Sequence, residues 1–178
     1  MTAALSLAER LRSLIFDVPD FPTPGVMFRD ITTLLADAAA LRDAVVALAA
    51  PHREAGVDLV AGIESRGFII GGAVALELGA GFVPVRKQGR LPRQTISAAY
   101  ELEYGNAVLE VHADTMVQGH HVLIVDDVLA TGGTAAAAMG LVRTLGAELV
   151  GLAFLVELTE LRGAERLAGA PYTALVHY

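Results

Sequence analysis

Three stretches of the chain are aliphatic for the length of a strand and lack polar alternation: "LVAGI" within residues 58–63, "HVLIV" opening residues 121–127, and "LVGLAFLV" within residues 149–158. A strand with one face in water alternates apolar and polar residues, so a run without alternation must be covered on both faces. Helical patterns separate the runs. Residues from Asp37 to about Ala50 carry apolar positions at Leu41, Val45 and Leu48, Arg66 to Leu78 is rich in small residues, and Gly133 to Leu145 follows the second run. Strand and helix in alternation predict an α/β fold with a central, mainly parallel β-sheet flanked by helices. "GFVPVRK" at 81–87 supplies another strand, and residues near 172–176 a shorter last one. Residues 95–112 alternate in places around a Tyr-Gly-Asn turn and predict a hairpin beside the sheet. The opening "MTAALSLAERLRSLIF" reads as an amphipathic helix rather than a signal peptide. Pro19, Pro22, Pro24 and Gly25 then predict an irregular excursion.

Composition restricts what such a sheet can serve. With 178 residues the chain suits one domain with a sizeable core. The absence of cysteine removes disulfides, zinc–thiolate sites and a thiol nucleophile, and it fits a cytoplasmic location. A net charge of −7 argues against a nucleic-acid-binding surface, and no apolar run has the length of a membrane span. Any anionic ligand must therefore meet a local basic patch.

Open parallel sheets bind ligands beyond the carboxyl ends of their strands. There the sequence reads "VDDVLATGGT", with Asp126 and Asp127 expected to end a strand and a helix expected from Gly133. The backbone N–H groups of Ala130, Thr131, Gly132, Gly133 and Thr134, backed by the positive end of that helix, make a phosphate cradle. Gly132 and Gly133 allow positive φ, and Thr131 and Thr134 add hydroxyls. No Walker lysine and no GxGxxG is present. The paired acids suit a metal ion or the vicinal hydroxyls of a sugar, or else they merely cap a tight strand-to-helix turn. A second concentration of charge lies at Arg86, Lys87, Arg90 and Arg93, a segment without an acid in an acidic chain.

The string "VLIVDDVLATGGT" resembles the phosphoribosyl diphosphate signature of the type I phosphoribosyltransferases. "FPTPGVMFRDIT", "GIESRGFIIG", "RKQGRLPRQTISAAYELEYG" and "LVELTELRG" resemble, in order, segments of the adenine-using branch of that family, so the likeness spans nearly the whole chain. It implies the type I fold as a single domain over 1–178, with an N-terminal helix and base-binding hood over about 1–35 and a mobile catalytic loop and hairpin over about 86–112. It also implies purine salvage chemistry: N9 of adenine attacks C1′ of phosphoribosyl diphosphate, giving AMP and diphosphate.

The resemblance implies roles residue by residue. Asp126 and Asp127 would hold the ribose hydroxyls, and Ala130 to Thr134 the 5′-phosphate. Glu64, Ser65, Arg66, Arg86, Lys87 and Arg90 would hold the diphosphate, with a cis peptide between Glu64 and Ser65. Phe28 and Val128 would sandwich the adenine, while backbone groups of Met27 and Arg29 read its edge. Segment 89–104 resembles the loop that closes over substrates, and Glu103 matches the family's acid/base, with Glu101 as a rival on the same strand face. Mg²⁺ is expected as cofactor, carried by the substrate rather than by protein side chains. A homodimer is expected, with no nucleic acid or membrane partner. Met27 and "LPRQT" depart from the more usual family residues. The five histidines show no metal-binding spacing. An enzyme for an oxo-purine and a non-catalytic regulator on the same fold remain the alternatives.

Overall fold

The computed structural model describes residues 5–102 and 105–178, with the backbone alone for 101, 102, 105 and 106. Helix α1 (Leu7–Arg12) starts on a capping box in which Ser6 and Glu9 satisfy each other's backbone amides. The proline-rich excursion that follows is bracketed by order that its residues do not advertise. Strands β1 (Phe16–Val18) and β2 (Phe28–Asp30) pair antiparallel as a separate two-stranded sheet. Between them the Phe21–Pro22 peptide is cis. Helix α2 (Thr32–Ala36) leads into α3 (Ala38–Ala49), whose N-cap Asp37 accepts the amides of Ala39 and Ala40.

The remaining elements build the main sheet. Strand β3 (Leu59–Ile63), helix α4 (Arg66–Leu78) and strand β4 (Gly81–Lys87) are followed by the hairpin β5 (Thr95–Leu102) and β6 (Gly105–His112). Strand β7 (His121–Leu129), helix α5 (Gly133–Thr144), β8 (Glu148–Glu157) and β9 (Tyr172–His177) complete it. The spatial order is β5-β6-β4-β3-β7-β8-β9. Strands β4, β3, β7, β8 and β9 are mutually parallel, and the hairpin joins antiparallel through Arg86 opposite Glu110 and Lys87 opposite Leu109. The hairpin is therefore an edge of the sheet itself, not a neighbour to it.

One core packs α3 and α4 against one face, with Leu48, Ile70, Val74, Leu123 and Leu155 among its buried residues. The other packs α5 against the opposite face and the hairpin, with Leu109, Ile124, Met139, Leu141 and Phe154. The chain moves from β3 outward to β4 through α4, and from β7 outward the other way to β8 through α5. The strand order thus reverses between β3 and β7, and such a reversal opens a crevice at the strands' carboxyl ends.

Candidate active site

The acids of β7 lie at that crevice, but they do not end the strand. Pairing with β8 carries β7 on through Val128 opposite Val156 and Leu129 opposite Glu157. Pairing with β3 stops at Gly62 opposite Val125. Asp126 and Asp127 therefore project where the ladder with β3 has ended while β8 still supports the backbone. They are 9% and 7% exposed. Burial, and then the neighbouring Asp127 charge, hold the Asp126 carboxyl well above its usual range. Its Oδ1 accepts the Asp127 amide at 2.8 Å. Gly67 at the start of α4 makes room for it, because a Cβ there would stand 2.8 Å from that oxygen.

The end of β7 and the residues after it line an indentation, with Asp126, Val128, Ala130, Thr131, Gly132 and Thr134 on its wall. Gly132 takes φ +78°, and a side chain at this position would collide with the carbonyl of Gly163. Gly133 is already the first helical residue, so only Gly132 of the pair uses positive φ. Helices α1 and α3 begin on side-chain caps, at Ser6 and Asp37. Neither α4 nor α5 does, although both start at the crevice. No side chain caps the first turn of either helix, an arrangement able to receive an anion.

Arg66, the first residue of α4, bridges two regions that the sequence keeps apart. Its Nη2 lies 2.7 Å from Asp127 Oδ2. This is an ion pair without hydrogen-bond alignment, and Oδ2 retains an unused acceptor. Its Nη1 donates to the Arg29 carbonyl at 3.4 Å, and its guanidinium carbon stands 4.7 Å from the centre of the Phe28 ring. Phe28 is only partly buried, and the edge of Phe21 meets it at 5.1 Å between ring centres. Met27 is exposed, and Val128 is half-buried beside the α3–α4 core. The Phe28 hood, Arg66 and the acid pair thus form one constellation.

A second group stands at the end of β4. Arg86 Nε donates to Glu64 Oε2 at 2.8 Å, and Arg86 Nη1 donates to the Arg90 carbonyl at 2.9 Å. The Glu64–Ser65 peptide is cis, Ser65 is exposed, and Lys87 and Arg90 present to solvent. Arg93 instead pairs with Asp114. The basic segment has no acid in sequence, yet the fold supplies Glu64, Glu110 and Asp114 to it. Glu103 lies outside the described residues, as does the side chain of Glu101.

Two residues that sequence reading passed over bear on the site. The guanidinium carbons of Arg29 and Arg12 stand 3.9 Å and 4.3 Å from the centre of the Tyr178 ring, while Arg29 also pairs with Asp17. Tyr178 so fastens β2 and α1 to the end of β9. Glu110 is buried beneath the basic segment. An aromatic after the last strand and an acid in a hairpin carry no local signal of such roles.

Among the described residues no three metal-ligating side chains converge. Two adjacent hard carboxylates beside the loop from Ala130 to Thr134 fit a Mg²⁺ that keeps substrate and water oxygens as its ligands.

Residues 32–168 match the family described as phosphoribosyl transferase domain. The chain is 56% identical to the adenine phosphoribosyltransferase of Thermosynechococcus vestitus, over 94% of this chain and 99% of that protein. Its fold matches the crystal structure of adenine phosphoribosyltransferase from Rhodothermus marinus with a TM-score of 0.94, at 51% identity and covering 97% and 98% of the two chains. It also matches the Saccharomyces cerevisiae enzyme, solved with an imino-altritol bisphosphate and adenine, with a TM-score of 0.89 at 39% identity and 95% and 98% coverage.

Proposed function

Because the chain belongs to the adenine phosphoribosyltransferase family, we infer that it serves purine salvage, joining adenine to 5-phosphoribosyl diphosphate to give AMP and diphosphate. N9 of adenine forms a bond to C1′ as the bond from C1′ to the diphosphate oxygen breaks, and the proton on the purine leaves to a base. The observation that carries this reading is the crevice between β3 and β7. There a buried acid pair, two helix starts without side-chain caps and Arg66 converge.

The residues divide the work by chemistry. The cradle from Ala130 to Thr134 takes the 5′-phosphate, so C1′ is presented at a fixed place. Asp126 and Asp127 accept the ribose hydroxyls, a task for which the unused acceptor on Asp127 is suited. Arg66, Arg86, Lys87 and Arg90, with the backbone at Glu64 and Ser65, meet the diphosphate and hold it as charge develops on it. A bound Mg²⁺ supplies further neutralisation of that charge. Phe28 and Val128 stack on the purine, and main-chain groups of Met27 and Arg29 read its amino edge. Glu103 takes the purine proton.

The partner is a second copy of this chain, and the reaction is cytoplasmic. Support for the homodimer comes from the outer face of α4, where Ile69 is 51% and Leu76 85% exposed, about two turns apart on one helical stripe. The test of the reaction is incubation with phosphoribosyl diphosphate, Mg²⁺ and adenine, hypoxanthine, guanine or xanthine in turn. AMP from adenine alone is the expected product. Turnover of an oxo-purine in preference to adenine, or of no purine, would reject it.

A further inference from the structure

Glu110 takes no part in the chemistry just described, yet it is 4% exposed and lies directly beneath the segment that carries Arg86, Lys87 and Arg90. A buried carboxylate beside a site for a polyanion is costly twice over, through lost hydration and through repulsion of the ligand. Its surroundings compensate both. One oxygen, Oε1, accepts the backbone amides of Arg90 and Leu91, each at 3.0 Å, and Oε2 accepts the hydroxyl of Thr95 at 3.3 Å. Successive amides turned toward one oxygen form the concave nest that elsewhere in proteins binds free anions. Here a side chain of the protein fills it. Burial pushes the carboxyl up, but the amides of Leu91, Gly89 and Arg90 and the Thr95 hydroxyl outweigh it and hold Glu110 below its usual range.

The contacts continue toward the site. Strand β6 sets Glu110 opposite Arg86 of β4, and the Gln88 amide donates to Val108 at 3.0 Å, so the ladder ends just where the loop begins. From there the amides of residues 90 and 91 turn in to Glu110, and the carbonyl of Arg90 is left to receive Arg86 Nη1 at 2.9 Å. Glu64 receives the other edge of the same guanidinium. The orientation of Arg86 is therefore set by two acids, one directly and one through the loop backbone.

We propose that Glu110 is a positioning residue for the diphosphate end of the substrate: it gathers the 89–91 backbone into a nest and thereby aims Arg86 and presents Arg90. This rests on the assignment of those cations to the diphosphate. Glu110 touches no substrate itself.

The experiment is steady-state kinetics on the full chain for Glu110→Ala, Glu110→Asp and Glu110→Gln, with Arg86→Ala in parallel and thermal unfolding followed by circular dichroism. Glu110→Ala removes both acceptors, and Glu110→Asp withdraws the carboxylate by one methylene. Each is expected to raise KM for phosphoribosyl diphosphate about tenfold, with KM for adenine within about twofold of the parent. The tenfold rise, about 1.4 kcal/mol, is a part of what lost hydrogen bonds to a charged group cost, since Glu110 acts through Arg86 and not on the substrate. Glu110→Gln keeps a carbonyl oxygen for the two amides and turns its NH₂ to the Thr95 oxygen, so it is expected to restore KM to within about threefold. If Glu110→Ala does not fold, Glu110→Asp decides. A KM for phosphoribosyl diphosphate that stays at the parent value, or a rise matched equally by KM for adenine, overturns the proposal. Arg86→Ala separates the two readings. No rise in that variant overturns the diphosphate assignment, whereas a rise there with none in the Glu110 variants overturns only the role of Glu110.

Discussion

Arg66 Nη2 stands 2.7 Å from Asp127 Oδ2, joining the first residue of α4 to the second acid of β7. The same guanidinium covers the Phe28 ring and reaches the Arg29 carbonyl. One side chain thus contacts the region assigned to the ribose and the region assigned to the base. Replacing its partner should therefore disturb more than a single contact.

Asp127→Asn and Asp126→Asn are expected to weaken phosphoribosyl diphosphate binding about tenfold or more and to lower turnover, without loss of fold. Neutralising a carboxylate acceptor removes charge-assisted hydrogen bonds worth about 1.5–3 kcal/mol each. Titration calorimetry with the substrate, and far-ultraviolet circular dichroism as the folding control, check both halves. Unchanged affinity in both variants would remove the acids from the sugar.

Asp126→Asn should at the same time stabilise the free protein in a pH-dependent way. The native carboxyl titrates above its ordinary value of 3.8, chiefly because it is buried. At pH below that ordinary value both states are protonated and the group contributes nothing. As pH rises from there through the raised native pKa, the unfolded chain gives up the proton first and stability falls. Asparagine keeps an oxygen for the Asp127 amide and carries no charge to bury. The gain in Tm over the parent should thus be smallest in acid, grow across that window and then level off. A gain that is constant with pH, or largest in acid, would contradict the burial of charge.

Tyr178→Ala is expected to raise KM for adenine severalfold while KM for phosphoribosyl diphosphate stays nearly constant, and Tyr178→Phe should behave as the parent. The ring lies under the guanidinium of Arg29, the neighbour of Phe28 in β2, and cation–π contacts of this kind are worth about 0.5–2 kcal/mol. Parallel rises in both KM values would show instead a general loosening of the fold.

Glu103→Gln should lower the single-turnover rate by roughly 10²–10⁴-fold with little change in substrate binding, and Glu101→Gln much less. Glutamine keeps the size of the side chain but cannot take the purine proton. Rapid-quench measurement avoids masking by product release. A larger loss in the Glu101 variant would move the acid/base role to that residue.

Leu76→Glu is expected to turn the proposed dimer into a monomer in sedimentation velocity, and a monomeric parent would reject the dimer itself. The leucine is 85% exposed on α4, and a charge placed there would have to be buried between two copies. An unaltered dimer would place the interface elsewhere.

What the sequence determined by itself was the framework. The spans read for α4 and β4 coincide with the structure to the residue, and those for β3, α5 and β8 to within one. Uninterrupted aliphatic runs, helical spacing and glycine at the ends are signals that each segment carries within itself. The turn from β7 into α5 was legible for the same reason, since glycine and small residues at a strand-to-helix turn act through their own backbone. Strands β1 and β2 were not legible. Each is three residues long beside prolines, too short for a period, and each exists only because the other lies opposite.

Tertiary structure alone decided the partners. Asp126 and Asp127 read as the end of a strand, but β8 extends the ladder past them and the pairing with β3 stops short, so they became buried groups in mid-strand at the edge of a crevice. Arg66 read as a free cation for diphosphate, and folding set it against Asp127 and Phe28. Glu110 stands in an alternating hairpin, where an acid ordinarily faces water; the returning loop covered it and turned its amides inward. Periodicity and turn chemistry are local free energies and survive in any order of reading. Ion pairs, nests and burial depend on which distant segments the closed fold brings within a few ångströms, and that juxtaposition exists only once the sheet has assembled.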